Sequence, residues 1–201
     1  MTMERQQRIP SLLLIIIVFL VPLLTVRRSN FIMYGSAGAL AGFEIIMLLI
    51  LQSSAGNMYQ FTGIILAGFM AGLALGSGMD GPVLKPVGLI AGPAALVLFY
   101  LFSAFISEKL ININSLMLET LIILLLSFLP SFLTGRIFRL TTEKNGKGSA
   151  SAVYSADMAG AALGFIAVSG IAVPLLGIKL TLFLLSGLIF AGFLLATIRD
   201  K

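Results

Sequence analysis

Three carboxylates stand where the surrounding sequence offers little water. Glu44 lies in FIMYGSAGALAGFEIIMLLIL, Asp157 in ASAVYSADMAGAALGF and Glu119 in NSLMLETLIILLL. An ionisable group at membrane depth costs several kcal/mol unless it is paired or hydrated, which makes each a functional candidate by default. Glu44, near the middle of its apolar run, suits a proton carrier, a cation ligand or a protonated inter-helix hydrogen-bond donor. Asp157, beside Tyr154 and Ser155 near the start of a run, suits a helix cap or an inter-helix contact, because a helix N-terminus favours an anion. Glu119, at the edge of its run, reads as a carboxylate hydrated at the interface. Gln52, Asn57, Gln60 and Thr62 are polar companions just beyond Glu44, and no buried Lys or Arg stands out as a counter-ion. The candidate solute or proton site is therefore Glu44, Asp157, Tyr154 and Gln52.

Much other chemistry is excluded. The chain has no Cys and no His, hence no thiolate nucleophile, imidazole base, haem ligand or histidine-metal site. NGKGS around Gly146 lacks the glycine of a phosphate loop, Thr141 standing in its place. GSGMD is one residue too long for the GxGD of an intramembrane aspartyl protease. The expectation is a non-enzymatic protein without cofactor or metal.

The elements that must position these residues are membrane spans. Hydrophobic residues make up 59% of the 201 and charged residues 10%. A helix crosses a hydrocarbon core with roughly 17–25 apolar residues. Seven candidate spans follow: 9–26, 31–51, 59–77, 86–106, 114–133, 152–173 and 180–198. Backbone groups find no partner in lipid, and ten-residue alternation is absent, so the expected class is an all-α polytopic bundle rather than a barrel. The whole of 1–201 reads as one transmembrane domain, with Gly135 to Ser151 as its longest polar loop. The N-terminal run starts basic like a secretory signal. It is too long for an ordinary h-region and ends in Arg27 and Arg28, so it reads as a retained helix or a signal anchor.

Basic residues orient the chain. Arg27, Arg28, Lys85, Arg136, Arg139, Lys144, Lys147, Arg199 and Lys201 fall on one side, against Arg5, Arg8, Lys109 and Lys179 on the other. The richer side, with the C-terminus and the 135–151 loop, is expected to be cytoplasmic in a bacterial inner membrane. The formal net charge of +5 thus needs no nucleic-acid partner. The lipid bilayer is the expected surrounding.

Small residues recur at helical spacing. Gly68, Gly72 and Gly76 lie four apart in the third candidate span, Ala156, Gly160 and Gly164 in the sixth, and Gly38 and Gly42 in the second. Such faces let helix backbones approach closely, and these three spans are expected to pack together. Pro22, Pro93 and Pro130 are potential kinks.

Two stretches resemble the membrane region of large bacterial spermidine-synthase-like membrane proteins. The first is GSAGALAGFEIIMLLILQSSAGNMYQFTGIILAGFMAGLALGS, with Glu44, Gln52, Tyr59 and Gly68 to Ser77 as matching positions. The second is LPSFLTGRIFRL followed by SAVYSADMAGAALGFIAVSGIAVPLLGIKLTLFLL, with Tyr154, Asp157, Gly160, Ala161, Gly164 and Pro174 to Gly177. The resemblance implies a major-facilitator-like bundle, in relatives often fused to a soluble aminopropyltransferase-like domain. This sequence shows neither that domain's Gly-rich strand-loop-helix unit nor its acidic pocket, so no synthase activity of its own is expected. Two functions follow as expectations: a transport-like module for a small, cationic or polyamine-like solute, or a non-catalytic anchor for a separately encoded synthase-like or membrane-complex partner. An enzyme acting on a lipid-embedded substrate is a third, weaker idea.

Overall fold

A computed structural model of the chain describes residues 26, 30–55, 59–79, 88–110, 115–146 and 148–197. The first candidate span, 9–26, lies outside them but for Val26. The described residues are all-α: α1 (Phe31–Ala55), α2 (Tyr59–Gly78), α3 (Ala91–Leu110), α4 (Leu116–Asn145), α5 (Ala150–Ala167), a π-helical segment (Val168–Ala172) and α6 (Val173–Thr197). Among the described residues four stretches are long and apolar enough to cross a membrane, Phe31–Ser53, Phe61–Gly78, Met117–Asn145 and Ala150–Leu195, and Ala91–Ser107 is a shorter apolar helix.

Helix α1 is the axis of the bundle, touching α4, α5 and α6 along its length and α3 through side chains. Its buried side chains Phe43, Ile46, Met47, Ile50 and Leu51 form the middle of the core. Phe43 meets Phe99 and Tyr100 of α3 edge to face, with ring centroids 5.4 and 5.3 Å apart, a favoured aromatic geometry. Helix α2 stands outside this group and packs on α4.

The contacts fix direction. Gly68, Gly72 and Gly76 of α2 lie against Leu124, Phe128 and Phe132 of α4, and Gly160 and Gly164 of α5 lie against Tyr34 and Gly38 of α1. Both pairs are parallel. Helix α6 runs against α1, since Gly35 faces Leu188 and Gly192 faces Phe31. It also runs against α3, since Ser186 meets Val97 and Phe105 meets Phe183. Successive described helices therefore alternate in direction, as spans of a membrane joined by short connections would. Arg136, Arg139 and Lys144 fall at one end of the bundle and Lys179 at the other.

Two expectations are corrected. The third candidate span does not join the second and sixth; α2 pairs with α4, whose Leu124, Ser131 and Phe132 receive its glycine face. Gly135 to Ser151 is mostly not a loop. Helix α4 continues to Asn145, because Arg139 and Glu143 pair one turn apart at 2.7 Å and Asn145 donates a 2.8 Å bond to the Asn30 side chain at the start of α1. It stops at Gly146, whose φ is 86°. The gap between the sixth and seventh candidate spans, residues 174–179, holds the reversal between them. Helix runs through that stretch and reverses at Gly177 alone (φ 78°, ψ 173°), a backbone region essentially confined to glycine.

Candidate functional site

The register of α1 on α5 decides what the candidate carboxylates can do together. Gly160 sits over the Tyr34 carbonyl and Gly164 over Gly38, so in these parallel helices Asp157 lies level with about Phe31, and Glu44 level with about Gly170. Thirteen residues at 1.5 Å each put the two carboxylates roughly 20 Å apart along the bundle axis. Gln52, exposed near the end of α1, and Tyr154, exposed in the first turns of α5, are further apart still, at roughly 35 Å by the same rise. The four candidates do not converge on one site.

Glu44 and Asp157 are each half-buried. No described residue gives either one a hydrogen bond or an ion pair. Glu44 projects from the central helix about 100° around from the stripe that seats α5, by the angular step of a helix. Asp157 is too far into α5 to cap it; the N-cap position is Ser149. Glu119, expected at a hydrated boundary, is 1% exposed, on the inward side of a first turn of α4 whose Met117 and Leu118 are exposed.

Opposite Glu44 in height, the helix after α5 changes pitch. The Val173 N–H bonds to the Val168 carbonyl, five residues back, and Pro174 has no N–H to give. A proline ring cannot sit over a carbonyl in ordinary α register, and one wider turn relieves the overlap. π-turns of this kind are frequent at functional positions. On the α1 side, a Cβ on Gly42 would meet Val168 Cγ2 at 2.6 Å, so the central helix and the π segment are in close contact.

The glycine residues are placed as packing positions. A Cβ on Gly68 would overlap Leu124, one on Gly72 would lie 2.7 Å from Ser131 Cβ and 2.8 Å from the Phe128 carbonyl, and one on Gly76 would overlap the Phe132 carbonyl. Gly135 of α4 returns the contact by seating the Leu73 carbonyl.

Two features went unread in the sequence. Arg136 is 6% exposed and donates to the Met79 carbonyl at 3.2 Å, while Arg139 reaches the Gly78 carbonyl at 3.5 Å. Cations at the carbonyl end of α2 complement its dipole. The second feature is a stripe of buried hydroxyls on α3, Tyr100, Ser103 and Ser107, signalled only by its i, i+3, i+7 spacing. Among the described residues no group of three metal-ligating side chains assembles.

Comparison with family models, with curated proteins and with solved structures finds no match to this chain.

Proposed function

We propose that the chain is a membrane-embedded, transport-like module for a small cationic solute, with Glu44 as the binding or coupling carboxylate. The observation that carries this reading is a half-buried acid in the middle of the central helix that no described side chain neutralises. A carboxylate so placed must hold a proton, meet water or meet a cation. The resemblance to spermidine-synthase-like membrane regions makes a polyamine-like cation the solute class to test first and a major-facilitator-like arrangement the mechanism class. The proposed setting is the bacterial inner membrane, with the Arg136 and Arg139 end cytoplasmic. Asp157, about 20 Å away along the axis, then belongs to a different depth and not to the same coordination shell. The experiment is uptake of radiolabelled putrescine and spermidine into proteoliposomes. Flux lost in Glu44→Gln with the protein still folded supports the proposal; flux absent in the wild type, or unaltered in the variant, refutes it.

A scaffold role is the second reading, favoured by α2. Among the described residues this helix packs chiefly on α4 and exposes Gly63, Ala67, Ala74 and Gly78 on the opposite side, a face suited to a partner helix. Stoichiometric co-purification of another membrane protein in mild detergent, lost in Ala67→Leu, would select it.

A further inference from the structure

Helix α1 changes character halfway along one side. Asn30, Ala37, Ala41, Glu44, Leu48 and Gln52 follow one another at steps of three, four or seven residues, which keeps them on a single helix face. Asn30 and Ala37 are 1% and 3% exposed. Ala41, Glu44 and Leu48 are half-buried, and Gln52 is exposed. The opposite face shows no such gradient: Ala39, Phe43, Ile46 and Ile50 are all 0% exposed. The opening is confined to one face of one half of the helix, and Glu44 stands in the middle of it.

The covered half coincides with the stretch where α5 is seated on α1 by backbone contact, Gly160 on Tyr34 and Gly164 on Gly38. Regular α5 ends at Ala167, just past that seat. The covered end also carries the Asn145 to Asn30 bond, so it is the end of the bundle at which Arg136 and Arg139 lie. A carboxylate at membrane depth faces protein or water rather than hydrocarbon, and no described residue pairs with Glu44. Gln52 and Ser53, at the open end of the same helix, are polar and exposed.

We infer that the face of α1 running from Ala41 through Glu44 and Leu48 to Gln52 is a water-reached access route to Glu44, open at the Gln52 end of the bundle and closed toward the Arg136 end. A proton or cation bound for Glu44 arrives from the Gln52 end, about 12 Å along the helix. That this traffic amounts to transport rests on the function proposed above; the route itself does not.

A chain without cysteine lets single thiols report on this route. Ala37→Cys, Ala41→Cys, Leu48→Cys and Gln52→Cys are made in the full chain, with Lys144→Cys marking the opposite end. A charged, membrane-impermeant methanethiosulfonate is then applied to either side of oriented vesicles. With the reagent on the Gln52 side, labelling rates should fall in the order Gln52, Leu48, Ala41, and reactivity should be lost at Ala37; from the other side only Lys144→Cys should react. The reagent is attacked by the thiolate, which apolar surroundings suppress, so a lipid-covered face would leave Ala41→Cys and Leu48→Cys unlabelled, and that result overturns the inference. Labelling of Ala41→Cys from the Lys144 side overturns it too. Should Ala37→Cys fail to fold, the two-sided comparison at Ala41 decides alone. Solute flux with Ala41→Cys and Leu48→Cys unlabelled would keep the transport reading and sink the route, whereas the expected labelling without flux would keep the route and sink transport.

Discussion

Gly164→Ala is expected to destabilise the protein even though alanine is the better helix former. Alanine in place of glycine inside a helix contributes about 0.5–1 kcal/mol. At Gly164 that gain meets a wall of backbone: the new Cβ would overlap the Gly38 carbonyl oxygen and stand 2.7 Å from Gly38 Cα, where ordinary contact begins at 3.4 Å. Neither atom belongs to a flexible side chain, so α5 must retreat from α1 by something near 1 Å. A gap of that size forfeits a quarter to a half of each dispersion contact along the seam, and overpacking of this kind costs about 1–3 kcal/mol. The net loss is about 1–2 kcal/mol, or a Tm lower by about 2–8 °C for a chain of this size. Gly187→Ala is the matched control, since the added Cβ meets nothing within 4 Å on regular helix α6; there Tm should rise by about 1–4 °C. The assay is thermal unfolding in detergent followed by size-exclusion recovery, both variants side by side. Equal shifts in the two variants, or a rise at Gly164, would refute the seam and with it the register that separates Glu44 from Asp157.

Gly177→Ala should lower stability by about 1–3 kcal/mol in the same assay, because a φ of 78° and ψ of 173° strain any residue with a Cβ, although the space around it is open. Arg136→Met keeps the buried stem and removes the donor to the Met79 carbonyl; a loss of about 1.5–3 kcal/mol is expected, and a neutral result would show that the cap carries no weight. The natural absence of cysteine makes cross-linking clean. Val97→Cys with Ser186→Cys should oxidise to a disulfide between α3 and α6, whereas Gln52→Cys with Tyr154→Cys should not; a cross-link in the second pair would overturn the parallel register of α1 on α5.

Hydropathy alone marks where most of these helices lie, because an apolar run in a membrane has no other way to satisfy its backbone. Ends and partners are less legible. The polar end of α4 reads as loop until its partners are known: Arg139 with Glu143, Asn145 with Asn30, Arg136 and Arg139 with the last carbonyls of α2. Pro174 suggests a break near residue 174, yet the helix absorbs it as a π turn and saves the reversal for Gly177. Pairing is hidden for a different reason. A stripe of glycines states only that some backbone comes close; here it is the α4 backbone at Phe128 and Phe132, beside the Leu124 and Ser131 side chains, a partner distant in sequence.

The candidate site divides in the same way. The depth of Glu44 follows from counting residues, and the structure keeps it in mid-helix. Its relation to Asp157 depends on register, which is set by where the Tyr34 carbonyl seats over Gly160 and lies beyond any count along one helix. Two acids in one sequence read as a pair; two acids about 20 Å apart along a bundle axis act at successive depths or not together at all. A single cation bridging both is thereby ruled out in this arrangement. Transport using both would need the solute to pass Asp157 at one end of α5 and Glu44 at the height of the π segment in turn. Glu44→Gln and Asp157→Asn should then differ in kind, the first removing the central binding step and the second altering entry from one side only. Flux measured in both orientations of the proteoliposome distinguishes them: an equal loss in both directions for both variants would refute successive action.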